Sequence, residues 1–135
     1  VMQILTEHKR QHSSAGRARA RDGPRAVVEA QREVRRRLGI AEAFRTAVLA
    51  EILPVWRRFP GALAIHVTFA EDRDEGAPEF PLILAIDWPD RATVDAFLDH
   101  PIRKEGRAAT EGVLARFFTG RIHHHVTIAL SFAPT

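Results

Sequence analysis

Residues 62–88 read ALAIHVTFAEDRDEGAPEFPLILAIDW, and they contain two apolar segments with a polar connection between them. Ala62–Ala70 alternates apolar and polar residues, which is typical of a half-buried β-strand. Leu82–Trp88 is almost continuously apolar, as expected of a strand at the centre of a sheet. The connection from Glu71 to Pro81 is acidic and rich in turn residues. We therefore predict an antiparallel strand pair joined by a long hairpin loop.

Helical patterns flank this strand pair on both sides. Before it, a helix from Pro24 to Leu38 is predicted to stop at Gly39, because glycine commonly ends a helix. A second helix, 41–58, carries an apolar stripe for the core and should bend late, at Pro54. After the strand pair, we predict a short helix that ends at Leu98, with Asp90 as its N-cap, and a longer helix over 102–118.

Alternating patterns also begin and end the sequence. We predict a strand over Val1–Arg10 and another over Ile122–Phe132. The order strand, helices, two strands, helices, strand is that of the α+β, ferredoxin-like split βαβ fold, with a four-stranded antiparallel sheet and helices on one face. We expect a single domain, 1–135, in which 11–38 is an Arg-rich arm and helix inserted into this pattern.

The sheet face away from the helices is predicted to be apolar. Ala64, Ile83, Ala85 and Ala129 lie on or near that face. Because such residues favour burial, we expect a homodimer in which two sheets pack face to face as a dimeric α/β barrel.

Composition and charge exclude several functions. The chain has no cysteine, so disulfides, thiolate metal sites and thiol nucleophiles are absent. We found no membrane span or secretory leader, and expect a cytoplasmic protein. Lys9 to Arg37 contains ten basic and three acidic residues, a net charge of +7, whereas the remainder carries −4. Without interleaved aromatic residues, this pattern favours a solvated arm over a nucleic-acid site, although a partner surface stays open.

Two motifs resemble a known family. LPVWRRFPGALAIHVTF, residues 53–69, and LILAIDWPDRATVDAFLDHP, residues 82–101, resemble the dimeric α+β barrel superfamily and within it the antibiotic biosynthesis monooxygenase family. The resemblance covers about 41–130 and the first strand. It implies a cleft between sheet and helices, where family members oxidise electron-rich aromatics with dioxygen and without an added cofactor.

The resemblance also suggests catalytic residues. Trp88 matches the tryptophan that lines the pocket of these oxygenases, and His8 falls where the haem-degrading branch has an asparagine. The chain has no tyrosine, asparagine or cysteine, so proton transfer near neutral pH is left to histidine or to a carboxylate of raised pKa. We predict His8 as the base, Trp88 as an aromatic wall and Arg107 as the partner of the substrate anion. The open alternative is an exposed His8, a core Trp88 and a solvated Arg107.

A third motif suggests cyclisation instead of oxidation. FLDHPIRKE, residues 97–105, is similar to the HP motif of olivetolic-acid-type polyketide cyclases, with Phe97 and Arg103 in the places of their tyrosine and catalytic histidine. We predict Phe97, Arg103, His66 and His100 as substrate-binding residues. No histidine stands where this superfamily ligates haem, so neither haem nor another cofactor is expected.

The run His123-His124-His125 suggests a metal site as a further hypothesis. A strand places His123 and His125 on one face, and His66 could supply a third ligand. No carboxylate in the last strand supports such a site, so we expect no metal.

The sequence thus predicts a homodimeric enzyme for a small aromatic or polyketide substrate, most simply a cofactor-independent monooxygenase of antibiotic biosynthesis. An acid–base polyketide cyclase and a non-catalytic accessory protein remain alternatives.

Overall fold

The computed structural model describes residues 23–135 in full and residues 2–10 as backbone. Its elements follow in this order: strand β1 (Met2–Arg10), helix α1 (Gly23–Ala47), a π-helical turn (Val48–Ile52), helix α2 (Leu53–Trp56), strands β2 (Ala64–Phe69) and β3 (Leu82–Asp87), helices α3 (Arg91–Leu98) and α4 (Ile102–Phe117), and strand β4 (Phe118–Val126). Val1 and the loop predicted over 11–22 lie outside the described residues.

The four strands form one antiparallel sheet in the order β2-β3-β1-β4. This strand order and the alternation of strands with helices are those of the predicted ferredoxin-like fold. In register, Ile65 pairs with Ile86, and Met2 pairs with Ile86 on one side and Val126 on the other. The strands β2 and β4 therefore form the two edges of the sheet.

One core lies between the sheet and the helices. Its aliphatic and aromatic side chains are at most 8% exposed, and they come from every helix, from the π-turn and from β3 and β4: Phe44, Ala47, Val48, Ile52, Trp56, Phe59, Leu82, Leu84, Ile86, Trp88, Val94, Phe97, Val113, Leu114 and Phe118. The predicted stripe of the second helix is buried as expected at Phe44, Val48, Ile52 and Phe59. At about 25 cal/mol per Å² of buried apolar surface, this cluster supplies most of the driving force for folding.

The prediction of two separate helices before β2 was wrong. A single helix, α1, runs through Gly39, whose φ is not positive, so this residue does not form a helix cap. A glycine inside a helix costs only about 1 kcal/mol, and the helix tolerates it. The break occurs instead at Val48–Ile52, where the N–H of Leu53 donates to the carbonyl of Val48 just before Pro54. The wider π-turn accommodates a proline that cannot donate to the preceding turn.

The last strand also differs from its prediction. It begins at Phe118 instead of Ile122 and ends at Val126 instead of Phe132. Its last residue, Val126, lies opposite Met2, the first described residue of β1. The alternation continues through 127–132, but none of the described strands lies beside these residues.

The short helix α3 follows its prediction closely. Asp90 is its N-cap, and one carboxylate oxygen accepts from the backbone N–H of Thr93 at 2.8 Å and from the Thr93 hydroxyl at 2.7 Å. These hydrogen bonds lower the pKa of Asp90. Among the described residues, no helix is both long and apolar enough to cross a membrane.

Packing of two sheets face to face stays a prediction. Ala64, Ile83 and Ala85 are half-buried, and strand alternation places them on the face away from the helices. Ala129, in contrast, lies beyond the end of β4 and is exposed.

Candidate functional site

A cleft opens where α4 crosses β4. Its lining combines an aromatic and aliphatic floor with a polar rim, and consists of Trp56, Phe59, Phe97, Arg103, Arg107, Thr110, Ile122 and His124. The enclosed volume is about 20 Å³. Such a volume accommodates about one water molecule, so the cleft as it stands is nearly filled by its own side chains.

Stacked aromatic rings form the floor. Phe59 lies between Trp56, with 5.0 Å between ring centroids, and Phe97, at 4.6 Å. Phe59 reaches this position because residue 106 of α4 is glycine: a Cβ there would lie 2.6 Å from the Cζ of Phe59. Trp88 stacks on the other side of Phe97 at 4.8 Å. The rings make the base of the cleft apolar and rigid.

Thr110 supplies a satisfied polar group within the floor. It is 1% exposed, and its hydroxyl donates to the carbonyl of Gly106 at 2.8 Å while accepting from the Nε1 of Trp56 at 3.3 Å. Because both groups already have partners, this pair fixes the Trp56 ring and is not needed to bind a ligand.

The rim of the cleft is cationic. Arg103 and Arg107 lie four residues apart on α4, which places them on one face of the helix. The Nε of Arg107 donates to Glu111 at 2.8 Å. Arg103 donates to the carbonyl of Leu98 at 3.4 Å, and no carboxylate of the described residues pairs with it. Both arginines lie in the first half of α4, where the helix dipole adds to the positive potential.

His124 faces these arginines from β4. His124 is still exposed, and its partial burial lowers the pKa of its imidazole, which the positive charges of Arg103 and Arg107, followed by His123 and His125, lower further. The ring is therefore neutral at pH 7 and can accept a proton. None of the described residues that line the cleft is a carboxylate. The arrangement can thus remove a proton and hold the resulting anion between two guanidinium groups.

Sequence reasoning placed three residues that the structure brings together here, Phe97, Arg103 and Arg107. It missed His124, although the signal was present. In a strand that alternates, the middle residue of the histidine run shares a face with Ile122, whereas the metal hypothesis used only the outer two histidines.

Of the other two predicted catalytic residues, Trp88 lies outside the cleft lining, and the position of the His8 side chain is not described. Trp88 is 8% exposed, and it packs behind Phe97 in the core instead of lining the cleft. The indole that lines the cleft is Trp56. His8 belongs to β1, opposite Gly120, and its side chain lies outside the described residues.

His66 and His100 also lie apart from the cleft lining. His66, on the edge strand β2, is 2.8 Å from the carboxylate of Asp87. The Nδ1 of His100 accepts from the backbone N–H of Ile102 at 3.1 Å, so this ring caps the start of α4. Neither contact places the ring beside Arg103 or Arg107.

The structure separates the three histidines of the metal hypothesis. His66 is on β2, and His123 and His125 are on β4, at opposite edges of the four-stranded sheet. Three strand spacings separate these edges, about 14 Å, which is far more than two ligands of one ion allow. Within residues 2–10 and 23–135, as far as side chains are described, no group of three potential ligands lies close enough together to hold a metal.

One solved structure shares this arrangement of strands and helices, and two others are more distantly similar. A crystal structure of an ethyl tert-butyl ether degradation (EthD) family protein from Bacillus halodurans has a TM-score of 0.54 at 12% identity, over 94% of this chain and 96% of that chain. HapK from Hahella chejuensis has a TM-score of 0.48 at 14% identity, with both chains fully covered. A dimeric protein of unknown function with a ferredoxin-like fold, from Bacteroides fragilis, has a TM-score of 0.43 at 14% identity, over 92% of this chain and 91% of that chain.

No known protein family matches the sequence, and no curated protein matches it either. At 12% identity, the similarity to the EthD-family structure shows a common fold and nothing about activity. The chain is an α+β protein with the ferredoxin-like fold.

Proposed function

We propose that the chain is a small-molecule enzyme that removes a proton from an aromatic substrate in this cleft and oxidises the resulting anion with dioxygen. One observation carries the proposal: the imidazole of His124 faces two arginines above a floor of aromatic rings. Apolar rings suit a planar substrate, and a neutral imidazole suits an acidic C–H or O–H group.

The reaction balances with dioxygen as the sole oxidant. His124 takes a proton from the activated CH₂ group of an anthrone-like substrate, and Arg103 and Arg107 stabilise the anion. Dioxygen adds to the carbanion, and the imidazolium returns its proton to give a hydroperoxide. His124 then removes the second proton from this carbon, the O–O bond breaks to leave C=O, and the departing hydroxide takes that proton from the imidazolium to form water. The sum is CH₂ + O₂ → C=O + H₂O.

Substrate entry requires the cleft to widen. Pockets that hold small organic molecules usually enclose about 300–1,000 Å³, whereas this cleft encloses about 20 Å³. The side chain of Arg107 is 59% exposed, and Arg103 is also exposed, so both can swing outward. The buried rings of Phe59 and Phe97 have less freedom. The opening therefore lies on the side of α4.

The small volume favours a second function, a non-catalytic accessory or binding protein. If the rings stay stacked, the cationic rim can bind an acidic group at the surface while the floor remains closed. Such a protein would bind an aromatic acid without turnover.

Dioxygen consumption with a panel of anthrones and dihydroquinones tests the proposal. We expect turnover by the unmodified protein and a loss of about 100-fold or more in His124→Gln, which removes the base. His125→Gln is the matched control, since this neighbouring residue alternates to the other face of β4, and it should keep full activity.

Three other outcomes would contradict the oxidation. Equal rates in His124→Gln and the unmodified protein would exclude His124 as the base. A cyclised product without uptake of dioxygen would identify a cyclase. Saturable binding of an aromatic acid with no product would identify the accessory function.

A further inference from the structure

The segment that follows β4 exposes large apolar side chains in a regular pattern. Ile128, Leu130 and Phe132 are 92%, 75% and 84% exposed, and they alternate with smaller or polar residues. This alternation is typical of a strand with one buried face, yet residues 127–135 form neither strand nor helix. The segment has the sequence of a strand but is not part of the described sheet.

The edge of β4 offers such a neighbour. β4 is the last strand in the sheet order, so its outer side presents backbone groups to which no described strand pairs. A groove of about 620 Å³ runs beside this edge, between β4 and α4. Its lining is mixed: one part is apolar, formed by Leu114, Ala115, Phe118 and Ile122, and the rest is polar or glycine, formed by Arg107, Glu111, Thr119, Gly120 and Arg121.

The segment cannot easily reach the edge of its own β4. It leaves β4 in the direction of the strand, and to lie along the same edge it would have to reverse. Tight reversals between strands use glycine, asparagine or aspartate. Residues 126–133, VTIALSFA, contain none of these. The groove is therefore available to a segment from another molecule.

We propose that two copies of the chain pair antiparallel through β4 and its continuation, so that residues 127–132 of each copy lie along the β4 edge of the other. With a two-fold axis, each segment pairs with the β4 edge of the other copy, so both segments and both edges gain a partner through the same surface. The result is one continuous sheet across the dimer, in place of the face-to-face packing that the apolar sheet face predicts.

Strand alternation decides which side chains enter the groove. Ile122 and His124 of β4 line the cleft, so even-numbered residues of this strand face the helices. Directly paired residues in an antiparallel ladder point to the same face. When the axis passes at Val126 or at Thr127, even residues pair with even ones, and the apolar residues of the segment turn toward α4.

This pairing also completes the cleft. With the axis at Val126, the partner's Ile128 lies opposite His124, and with the axis at Thr127 the partner's Leu130 does so. The groove and the cleft share Arg107 and Ile122, so the incoming segment covers the open side of the cleft. An apolar cover excludes water from the imidazole and strengthens the electrostatic effect of the two arginines on it.

The absence of cysteine from the chain permits a direct test. Single variants Val126→Cys and Thr127→Cys, oxidised and run on a non-reducing gel, should give a covalent dimer in at least one case. Residues that face their own copy across an axis lie within the 4.4–6.8 Å Cα separation of a disulfide. The control His66→Cys, on the opposite edge strand, should remain monomeric on the gel. A dimer from His66→Cys alone, or from none of the three, would overturn the proposal.

A second pair of variants measures the same contact without cross-linking. Leu130→Asp replaces an apolar side chain that would pack on the apolar part of the groove by a carboxylate, whereas Ser131→Asp places a carboxylate on the other face of the segment. By sedimentation, the first should weaken the dimer about 100-fold or more, while the second changes it little. Circular dichroism confirms that both fold, since the segment lies outside the core. An intact dimer in Leu130→Asp would refute the pairing, whether or not the protein has the activity proposed above.

Discussion

Alanine at Gly106 and alanine at Gly112 add the same methyl group to two sides of one helix, and they should have opposite effects. Both residues lie in α4. At Gly106, the new Cβ would lie 2.6 Å from Cζ and 3.0 Å from Cε1 of Phe59. At Gly112, no atom lies within 4 Å. The pair thus separates packing from helix propensity.

The magnitudes follow from two terms. Replacing glycine inside a helix stabilises by about 1 kcal/mol at either position. Overpacking a core typically costs about 1–3 kcal/mol, and Phe59 cannot move aside freely because it is wedged between the rings of Trp56 and Phe97. We expect Gly112→Ala to gain about 0.5–1 kcal/mol and Gly106→Ala to lose up to about 2 kcal/mol.

Urea unfolding followed by tryptophan fluorescence measures both variants, because Trp56 and Trp88 are the protein's two tryptophans and both are buried. The free energies of unfolding should differ by about 1–3 kcal/mol, which corresponds to about 4–12 °C in Tm for a domain of this size. Equal stabilisation by the two substitutions would refute the tight approach of Phe59 to α4, and with it the explanation for the small volume of the cleft.

Three further predictions concern titration and the indole groups. Because the folded state lowers the pKa of His124, protonation favours the unfolded chain, and the free energy of unfolding should fall as the pH drops below about 6.5. Urea unfolding at several pH values should show a smaller fall in His124→Gln. Arg36 and Arg37 lower the pKa of Glu33 to about 2, so circular dichroism should show α1 losing helix as the pH falls from about 4.5 toward 2, less so in a Glu33→Gln control. Trp56→Phe removes the hydrogen bond to Thr110 and should lower the free energy of unfolding by about 1–3 kcal/mol, measured with urea. Trp88→Phe should lower it less, because the Nε1 of Trp88 is buried without a partner among the described residues. Equal costs would contradict this reasoning.

Local patterns predicted those elements whose bounds depend on residues close to them in the chain. The strands β2 and β3 and the helix α3 lie close to their predicted bounds, since alternation, apolar continuity and the Asp90 cap each act within a few residues. The π-turn and the continuity of α1 were not predicted. An exposed helix can tolerate Gly39, so this residue alone does not decide where the helix stops. Pro54 did predict a late bend, but the sequence pattern does not show that the bend takes the form of a π-turn.

The candidate site was predictable only in part. Phe97 and Arg103 came from the resemblance in one short motif, and Arg107 from the need for a cation beside the substrate anion; α4 and the end of α3 bring the three to one place. His124 reaches the same place from β4, and its partnership with the arginines depends on how the sheet packs against α4. The error at Trp88 has a similar origin, because both tryptophans are apolar and buried, and the tertiary fold alone determines which one borders the cleft.

The π-turn at Val48–Ile52 allows the length of the chain to vary by one residue without turning α1. It contains one more residue per hydrogen-bonded turn than an α-helix. Deleting a single residue there would restore ordinary winding, and the preceding residues of α1 would keep nearly the same direction, because the turn spreads its extra residue over the same rotation of the helix. Of residues 24–47, only Phe44 and Ala47 are buried, so such a deletion would keep the anchor of α1 against the core. A deletion in the regular helix before Phe44 would instead turn the arginines of α1 by about 100° about the helix axis. The five residues of the π-turn are therefore a place where related chains could change length without re-aiming a basic helix.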